Sequence, residues 1–201
     1  MRLVLASASL RRAELLSAAD FAFDIVPANT DETVLSGETP RGYALRVARA
    51  KAEHVAASVP GDSVVLGADT VVVSAGRLMG KPVDAADAES MLRGLSGVTH
   101  EVHTAVVVLG SGSRLEELVT TSVQFITLTD AEVAWYLSTG EWAGKAGAYG
   151  IQGRAARFIE RIDGSWSNVV GLPIATVYRL LNVAGRGGSL GQRNTIDPAE
   201  R

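Results

Sequence analysis

The feature that most constrains the fold is the transition near the start of the chain from an apolar run to a helical pattern. Val4 and Leu5 close a short apolar run that is typical of a buried strand. Ser7 and Ser9 follow at once, and a pattern of helical leucines begins directly after them. The two serines therefore fall on a strand-to-helix loop, which is a unit of α/β folds.

Arg11 and Arg12 fall in the first turn of that predicted helix. Cations are unfavourable there, because the helix dipole places partial positive charge at the N-terminus. A bound anion explains the pair, since serine hydroxyls, free backbone N–H groups and guanidinium groups together form a phosphate site. The alternative is an ordinary N-cap serine beside two solvated arginines, and this stretch alone does not separate the two.

Charge and hydropathy exclude several classes of protein. The chain has 201 residues, of which 47% are hydrophobic, enough for one sizeable core. Because 22 acidic residues stand against 19 basic ones, we expect no binding of polymeric nucleic acid. No apolar run reaches the ~18 residues of a spanning helix, so we expect no membrane association and a cytoplasmic location. The absence of cysteine excludes disulfides and thiolate metal sites.

Lysine is rare in this chain, since only Lys51, Lys81 and Lys145 stand beside 16 arginines. A chain that fills its ordinary surface positions with arginine marks its few lysines as candidates for places that need a compact point charge. Lys51 lies outside the apolar stripe predicted for its helix, so the alternative for this residue is a solvated helix lysine.

Strand and helix patterns are interspersed along the chain. We predict strands at 21–26, 64–66, 71–73, 104–109, 119–127 and 158–162, and helices over about 40–55, 85–95, 130–137 and 173–182. This order predicts an α/β fold with a mixed sheet. We expect one domain over 1–183, with 60–127 as one of two lobes, and a disordered tail over 184–201.

Asp69 is the strongest candidate for a catalytic residue. It lies between two apolar runs, so its carboxylate is expected to be part-buried and to need a cation or a metal as partner. Glu32 is a second loop carboxylate, and two carboxylates beside fixed cations suit phosphoryl chemistry assisted by Mg²⁺ or Mn²⁺. The alternative for Asp69 is a turn aspartate that caps local N–H groups.

Other catalytic motifs are absent or weak. The chain has no Walker-type phosphate loop, and the glycine-rich segment 147–153 lacks one glycine of the dinucleotide fingerprint. His100 and His103 do not have the spacing of a His-Glu-x-x-His zinc site. Ser7 and Ser9 have no histidine base close by in sequence.

Taken together, the motifs resemble the Maf family of nucleotide pyrophosphatases. The match covers residues 2 to about 182 and departs from the family pattern at Leu10, where the family usually has proline. The matching segments in chain order are Leu-Ala-Ser-Ala-Ser-Leu-Arg-Arg at 5–12, Asp-Glu at 31–32, Ala-Arg-Ala-Lys at 48–51, Gly-Ala-Asp-Thr at 67–70, Gly-Lys-Pro at 80–82, Leu-Ser-Gly at 95–97, Lys-Ala-Gly-Ala-Tyr-Gly-Ile-Gln-Gly at 145–153, and Gly-Ser with Val-Gly-Leu-Pro within 164–173.

The resemblance implies two α/β lobes around a central nucleotide-binding cleft, in a Maf/ITPase-like fold. It also implies hydrolysis of nucleoside triphosphates to monophosphate and pyrophosphate by water attack at the α-phosphate, with a divalent cation, Mg or Mn. By this resemblance Asp69 is the catalytic base and a metal ligand together with Glu32. Residues at substrate-binding positions are Ser7, Arg11, Arg12, Lys51, Thr70, Lys81 and Gln152. Of these, Arg11, Thr70 and Gln152 match the branch that prefers dTTP and UTP.

Two classes of function follow from the resemblance. One is the pyrophosphatase, which would also serve to remove modified nucleotides. The other is a nucleotide-responsive regulator of septum formation and cell division. The complete charged set favours the enzyme, because a sensor does not need a buried carboxylate beside the phosphates. The resemblance is also compatible with a homodimer.

Overall fold

A seven-stranded mixed sheet runs through the centre of the protein in a computed structural model that describes residues 2–110 and 112–185. The strands are β1 (Arg2–Leu5), β2 (Asp24–Ile25), β3 (Ser63–Ser74), β4 (Arg77–Met79), β5 (Thr99–Gly110), β6 (Ser113–Phe125) and β7 (Ile159–Asp163). Their order is β2-β1-β3-β5-β6-β7, and β4 pairs with β3. Strand β1 is parallel to β2 and β3, and the other pairs are antiparallel. The predicted α/β fold with a mixed sheet is confirmed.

Local capping determines where several helices begin. Thr39 accepts a hydrogen bond from the Gly42 backbone N–H, and Pro40 is the first helical residue. Thr129 and Glu132 form a reciprocal capping box, as the sequence predicts. The helices are α1 (Leu10–Ala18), α2 (Pro40–Ala56), α3 (Ala85–Leu95), α4 (Asp130–Ser138), α5 (Trp166–Val170) and α6 (Ile174–Gly185), with 3-10 turns at Ala146–Ala148 and Arg154–Phe158.

Strand β3 is continuous where the sequence predicts two short strands around a turn at 67–70. Residues 67–70 pair with β5 throughout, and Asp69 lies opposite Ala105. Gly67 is needed for packing, because a Cβ at this position would lie 2.5 Å from the Ala48 carbonyl oxygen of α2. The glycine therefore permits the close approach of a helix. The interpretation of Asp69 as a turn aspartate is wrong.

The buried face of α2 also differs from the predicted stripe. Lys51 lies on this face and is only 7% exposed, whereas Leu45 is only partly buried. The buried residues of α2 are Tyr43, Ala44, Val47, Ala48, Lys51, Ala52 and Val55. The interpretation of Lys51 as a solvated lysine is therefore wrong, because its helix presents it to the sheet.

Alternating residues of the central strands divide the core between the two faces of the sheet, as the period of two in a strand requires. Leu3 and Leu5 of β1 pack in a cluster with residues of α1 and α6. Val4 packs in a second cluster with α2. A third cluster joins α3 and α4 to Phe125 and Phe158. The site residues on β3 are thus fixed between two packed layers.

Several strands differ in length from the predictions. Strand β2 is shorter than the predicted 21–26, and β5 and β6 extend until only 111–112 separate them.

Within the described residues, no helix combines the length and the apolar character needed to cross a membrane. Helix α6 includes Ala184 and Gly185, and the rest of the predicted tail lies outside the described residues. The division into lobes stays a prediction.

Candidate active site

A cavity of about 430 Å³ opens beside the loop that follows β1. Its size is in the range of small-molecule sites. All the predicted site residues line it, although they come from positions as distant as 7 and 152: Ser7, Arg11, Arg12, Glu32, Lys51, Asp69, Thr70, Lys81 and Gln152. The fold thus brings the whole predicted set to one place. A second cavity of about 270 Å³ shares four of these residues, Glu32, Asp69, Thr70 and Lys81.

The loop between β1 and α1 uses its serines differently from an ordinary N-cap. Ser9 occupies the N-cap position of α1, but its side chain makes no capping hydrogen bond. Instead, the Ser7 hydroxyl oxygen accepts from the Ser9 backbone N–H at 3.2 Å and from Arg12 Nη1 at 3.2 Å. Arg12 is only 8% exposed, so the description of two solvated arginines is wrong for this residue.

Arg12 is held by neutral acceptors. Its Nε donates to the Gly171 carbonyl oxygen at 2.8 Å, and its Nη2 donates to Thr70 Oγ1 at 3.1 Å. Within the described part of the chain, Arg12 forms no salt bridge with a carboxylate. Burial lowers the pKa of Arg12, and the charge of Asp69 offsets this only in part. The guanidinium is therefore a fixed positive charge that a phosphate could neutralise.

Lys51 lies between two carboxylates. Its Nζ is 2.7 Å from Glu32 Oε1 and 2.8 Å from Asp69 Oδ1. The side chains of Lys51 and Asp69 are each 9% exposed, so this pair is largely shielded from bulk solvent. Lys81 reaches the other oxygen of Glu32 at 3.5 Å from a largely exposed position. Glu32 therefore joins both lysines, and Asp69 has the more buried place.

The two carboxylates have opposite pKa shifts. Burial raises the pKa of Asp69 above its ordinary value, and the charges of Lys51 and Arg12 offset only part of this effect. Burial also acts to raise the pKa of Glu32, but hydrogen bonding and charge from Lys51 and Lys81 outweigh it, so this pKa is lowered. A carboxylate with a raised pKa is the better general base near neutral pH. The environment thus distinguishes Asp69 from Glu32.

The carboxylates fit a divalent cation that substrate would also coordinate. One oxygen of Glu32 and one of Asp69 already converge on a single cationic atom, Lys51 Nζ. Mg²⁺ is commonly bound by one or two carboxylates together with phosphate oxygens and water. Within residues 2–110 and 112–185, no group of three or more His, Cys, Asp or Glu side chains could hold a metal. A cation here would therefore need oxygen ligands from substrate or water.

Thr70 and Gln152 differ in how far their polar groups are already used. Thr70 Oγ1 accepts from Arg12, lies 3.0 Å from Thr104 Oγ1 and donates to Gly171 O at 3.2 Å. This hydroxyl is thus occupied in holding Arg12. Gln152 is exposed in a turn that lines the cavity, directly after buried Ile151. Its amide is the more available group for a substrate.

The cavity also contains residues outside the predicted set. Lys145 and Tyr149 line it. Two sequence signals point to Lys145, namely the scarcity of lysine and its place at the start of the matching segment 145–153, although neither gives it a role. Tyr43 lies in the adjoining cavity, and its hydroxyl donates to the Glu32 backbone carbonyl at 2.8 Å. This bond fixes the loop that carries Glu32 to α2, and nothing in the sequence indicates it.

Comparison with known proteins gives consistent results over most of the chain. A family model described as Maf-like protein matches residues 2–184. A protein named dTTP/UTP pyrophosphatase from Anaeromyxobacter dehalogenans strain 2CP-1 is 55% identical over 188 residues, covering 92% of this chain and 94% of that protein. One of the same name from Koribacter versatilis strain Ellin345 is 50% identical over 185 residues, covering 92% and 95%.

Among solved structures, the nucleoside-triphosphatase / dITP/XTP pyrophosphatase of Mycobacterium abscessus gives a TM-score of 0.40. The sequence identity is 16%, and the alignment covers 64% of this chain and 76% of that chain. A likeness of this degree carries no argument about the site.

Proposed function

This chain belongs to the Maf-like protein family, and we propose that it hydrolyses nucleoside triphosphates, preferring dTTP and UTP, to the monophosphate and pyrophosphate. The proposal is supported by relatives that are 50% and 55% identical and are named dTTP/UTP pyrophosphatases. The observation that carries it is the meeting, in one cavity, of a buried carboxylate and several fixed cations. Phosphoryl transfer depends on positioning and charge stabilisation of this kind.

The cations have separate tasks in this proposal. Arg12, held by neutral acceptors, binds phosphate oxygens through N–H groups that remain free. Lys51 holds the carboxylate of Asp69 in place and favours its ionised form. Lys81 is largely exposed, and its contact with Glu32 is long at 3.5 Å. Its side chain is therefore free to turn toward a bound triphosphate.

Asp69 acts as the general base. Its carboxylate takes a proton from a water molecule as the water oxygen attacks the α-phosphorus. The bond from that phosphorus to the oxygen bridging the α- and β-phosphates breaks, and pyrophosphate leaves with the bonding electron pair. When bound at Glu32 and Asp69, a divalent cation supplies Lewis-acid stabilisation of the phosphate charge. The products are a nucleoside monophosphate and pyrophosphate.

Gln152 is the proposed base-recognition residue. Its amide offers one acceptor and two donors, which suits the N3–H and a neighbouring carbonyl oxygen of uracil or thymine. Guanine also mixes donors and acceptors on its edge, so the amide alone does not select a pyrimidine. The names of the relatives therefore carry most of the pyrimidine preference. A site built for one polar edge rejects the wrong base, because its own groups would stay unpaired.

The test is a comparison of kcat/KM by pyrophosphate release for dTTP, UTP, ATP, GTP and 7-methyl-GTP. We expect the first two to be preferred in the wild type and the preference to change in Gln152→Glu. Equal values for all five nucleotides would remove the pyrimidine claim. An unchanged ratio in the variant would remove Gln152 from the base site. Tight binding of nucleotide with no turnover would favour the regulator over the enzyme.

Three further expectations stay predictions. They are the removal of modified nucleotides, the assembly of a homodimer and the cytoplasmic location. Each has its own measurement: turnover of modified triphosphates, the mass in solution and cell fractionation.

A further inference from the structure

Three cations that line the cavity, Arg11, Arg12 and Lys145, have no carboxylate partner within the described part of the chain, and of these Arg12 is already held by neutral acceptors. Lys51 and Lys81 both bind Glu32, whereas Arg11 and Lys145 form no ion pair among residues 2–110 and 112–185. The Lys145 ammonium donates instead to the backbone carbonyl of Glu141. This ammonium therefore lies in the cavity without a carboxylate in direct contact, among the described residues.

The acid nearest to Lys145 along the chain is engaged elsewhere. The Glu141 side chain accepts from the Arg154 backbone N–H at 2.8 Å through Oε2. Its other oxygen, Oε1, lies 3.2 Å from Arg154 Nη1. Both oxygens of this carboxylate therefore serve Arg154, and the lysine is left to its backbone contact.

Arg11 and Lys145 are close enough to repel each other. Burial lowers the pKa of Lys145 and the positive charge of Arg11 lowers it further, while the negative charge of Glu141 offsets this only in part. Two neighbouring cations, neither of which is ion-paired among the described residues, are unfavourable in the free protein. A bound anion would remove this repulsion by interacting with both.

The stem of Lys145 is held against the backbone of Gly150. A Cβ at Gly150 would lie 2.8 Å from Lys145 Cε and 2.9 Å from Cδ. The glycine thus leaves room for the lysine stem to pack across the turn that continues to Gln152. A half-buried stem with restricted freedom loses less entropy when its ammonium binds a ligand.

We propose that Arg11 and Lys145 form an anion subsite that binds the β- and γ-phosphates of the substrate and then the pyrophosphate product. The identity of the anion rests on the proposed function. The subsite complements Arg12 and leaves Lys51 to the buried carboxylate. For Arg11, it assigns contact with phosphate rather than with the base. Ammonium and guanidinium groups make charge-assisted hydrogen bonds to phosphate oxygens.

The test is binding of inorganic pyrophosphate by isothermal titration calorimetry, which needs no turnover. Lys145→Met keeps the stem and removes the charge, and we expect it to weaken binding at least about tenfold. Arg11→Met should have a similar effect. The matched control is Arg161→Met, which removes an exposed charge of β7 outside the cavity and should leave the affinity unchanged.

A second variant guards against loss of folding in Lys145→Met. Gly150→Ala retains every charge but displaces the lysine stem, and we expect pyrophosphate to bind several-fold more weakly. Unchanged pyrophosphate affinity in folded Lys145→Met, or in Gly150→Ala if the lysine variant does not fold, would overturn the subsite. A changed dTTP-to-ATP ratio with unchanged pyrophosphate affinity would instead place Lys145 at the base. If wild-type protein binds pyrophosphate through Lys145 but turns over no nucleotide, the proposed function fails and the subsite stands.

Discussion

Replacing Lys51 by methionine should destabilise the protein in a way that depends on pH. The substitution keeps an unbranched stem on the buried face of α2 and removes the charge that lies 2.8 Å from Asp69 Oδ1. Because the two side chains are each only 9% exposed, the cavity water that reaches Asp69 replaces the missing cation only in part. Breaking a buried ion pair in this way typically costs about 3–5 kcal/mol.

Protonation of Asp69 limits that loss at low pH. For a carboxylate with the ordinary aspartate pKa of 3.8, the free energy of protonation is about 1.6 kcal/mol at pH 5 and about 4.4 kcal/mol at pH 7. In the folded wild-type protein the pKa of Asp69 is already raised. At pH values between the unfolded and the folded pKa, the native state therefore binds more protons than the unfolded state. Stability therefore falls as the pH rises through this window. Lys51→Met raises the pKa further and extends the window upward.

The assay is urea unfolding at pH 5 and pH 7, followed by circular dichroism. We expect Lys51→Met to lose about 3–4 kcal/mol of unfolding free energy at pH 7 and at most about 1.6 kcal/mol at pH 5. The double variant Lys51→Met/Asp69→Asn should lose this pH dependence. The control Arg114→Met breaks an exposed pair and should stay within about 0.5 kcal/mol. Equal losses for Lys51→Met at both pH values would show that protonation of Asp69 does not limit the cost of losing the lysine.

Three further predictions concern the base and the packing around it. Asp69→Asn should lower turnover about 10²-fold or more with an unchanged circular dichroism spectrum, and near-normal turnover would exclude Asp69 as the base. Because burial raises the pKa of Asp69, kcat/KM for dTTP should fall on acidification at a pH above 3.8, and a profile flat down to that value would contradict this role. Gly67→Ala places a Cβ 2.5 Å from the Ala48 carbonyl oxygen and should cost about 1–3 kcal/mol in urea unfolding. Gly61→Ala, with open space around it, should cost less than about 0.5 kcal/mol, and equal costs would count against the close helix packing.

Features that depend on neighbouring residues in sequence could be predicted. The starts of α2 and α4 follow from Thr39 with Pro40 and from the Thr129 capping box, whose partners lie within three residues. The hydroxyl loop before α1 could be placed for the same reason. The set of cavity-lining residues came from the order of several motifs rather than from any local preference.

Features that depend on distant contacts could not be predicted. Asp69 looks like a turn residue beside Gly67, but pairing with β5 and the approach of α2 make the segment a strand. The helical spacing alone leaves open a solvated Lys51, because its partners Asp69 and Glu32 come from other elements. The lack of a carboxylate partner for Lys145 depends on where Glu141 directs its side chain. All of these features depend on tertiary contacts, which the spacing of residues along a helix does not reveal.

Hydrolysis of dTTP in water enriched in ¹⁸O, with mass analysis of both products, shows directly which phosphorus the water attacks. Attack on the α-phosphorus, with Asp69 as base, places the label in dTMP and leaves pyrophosphate unlabelled. We expect this result, with dTMP and pyrophosphate formed in equal amounts. Label in pyrophosphate, or release of dTDP with inorganic phosphate, would contradict it.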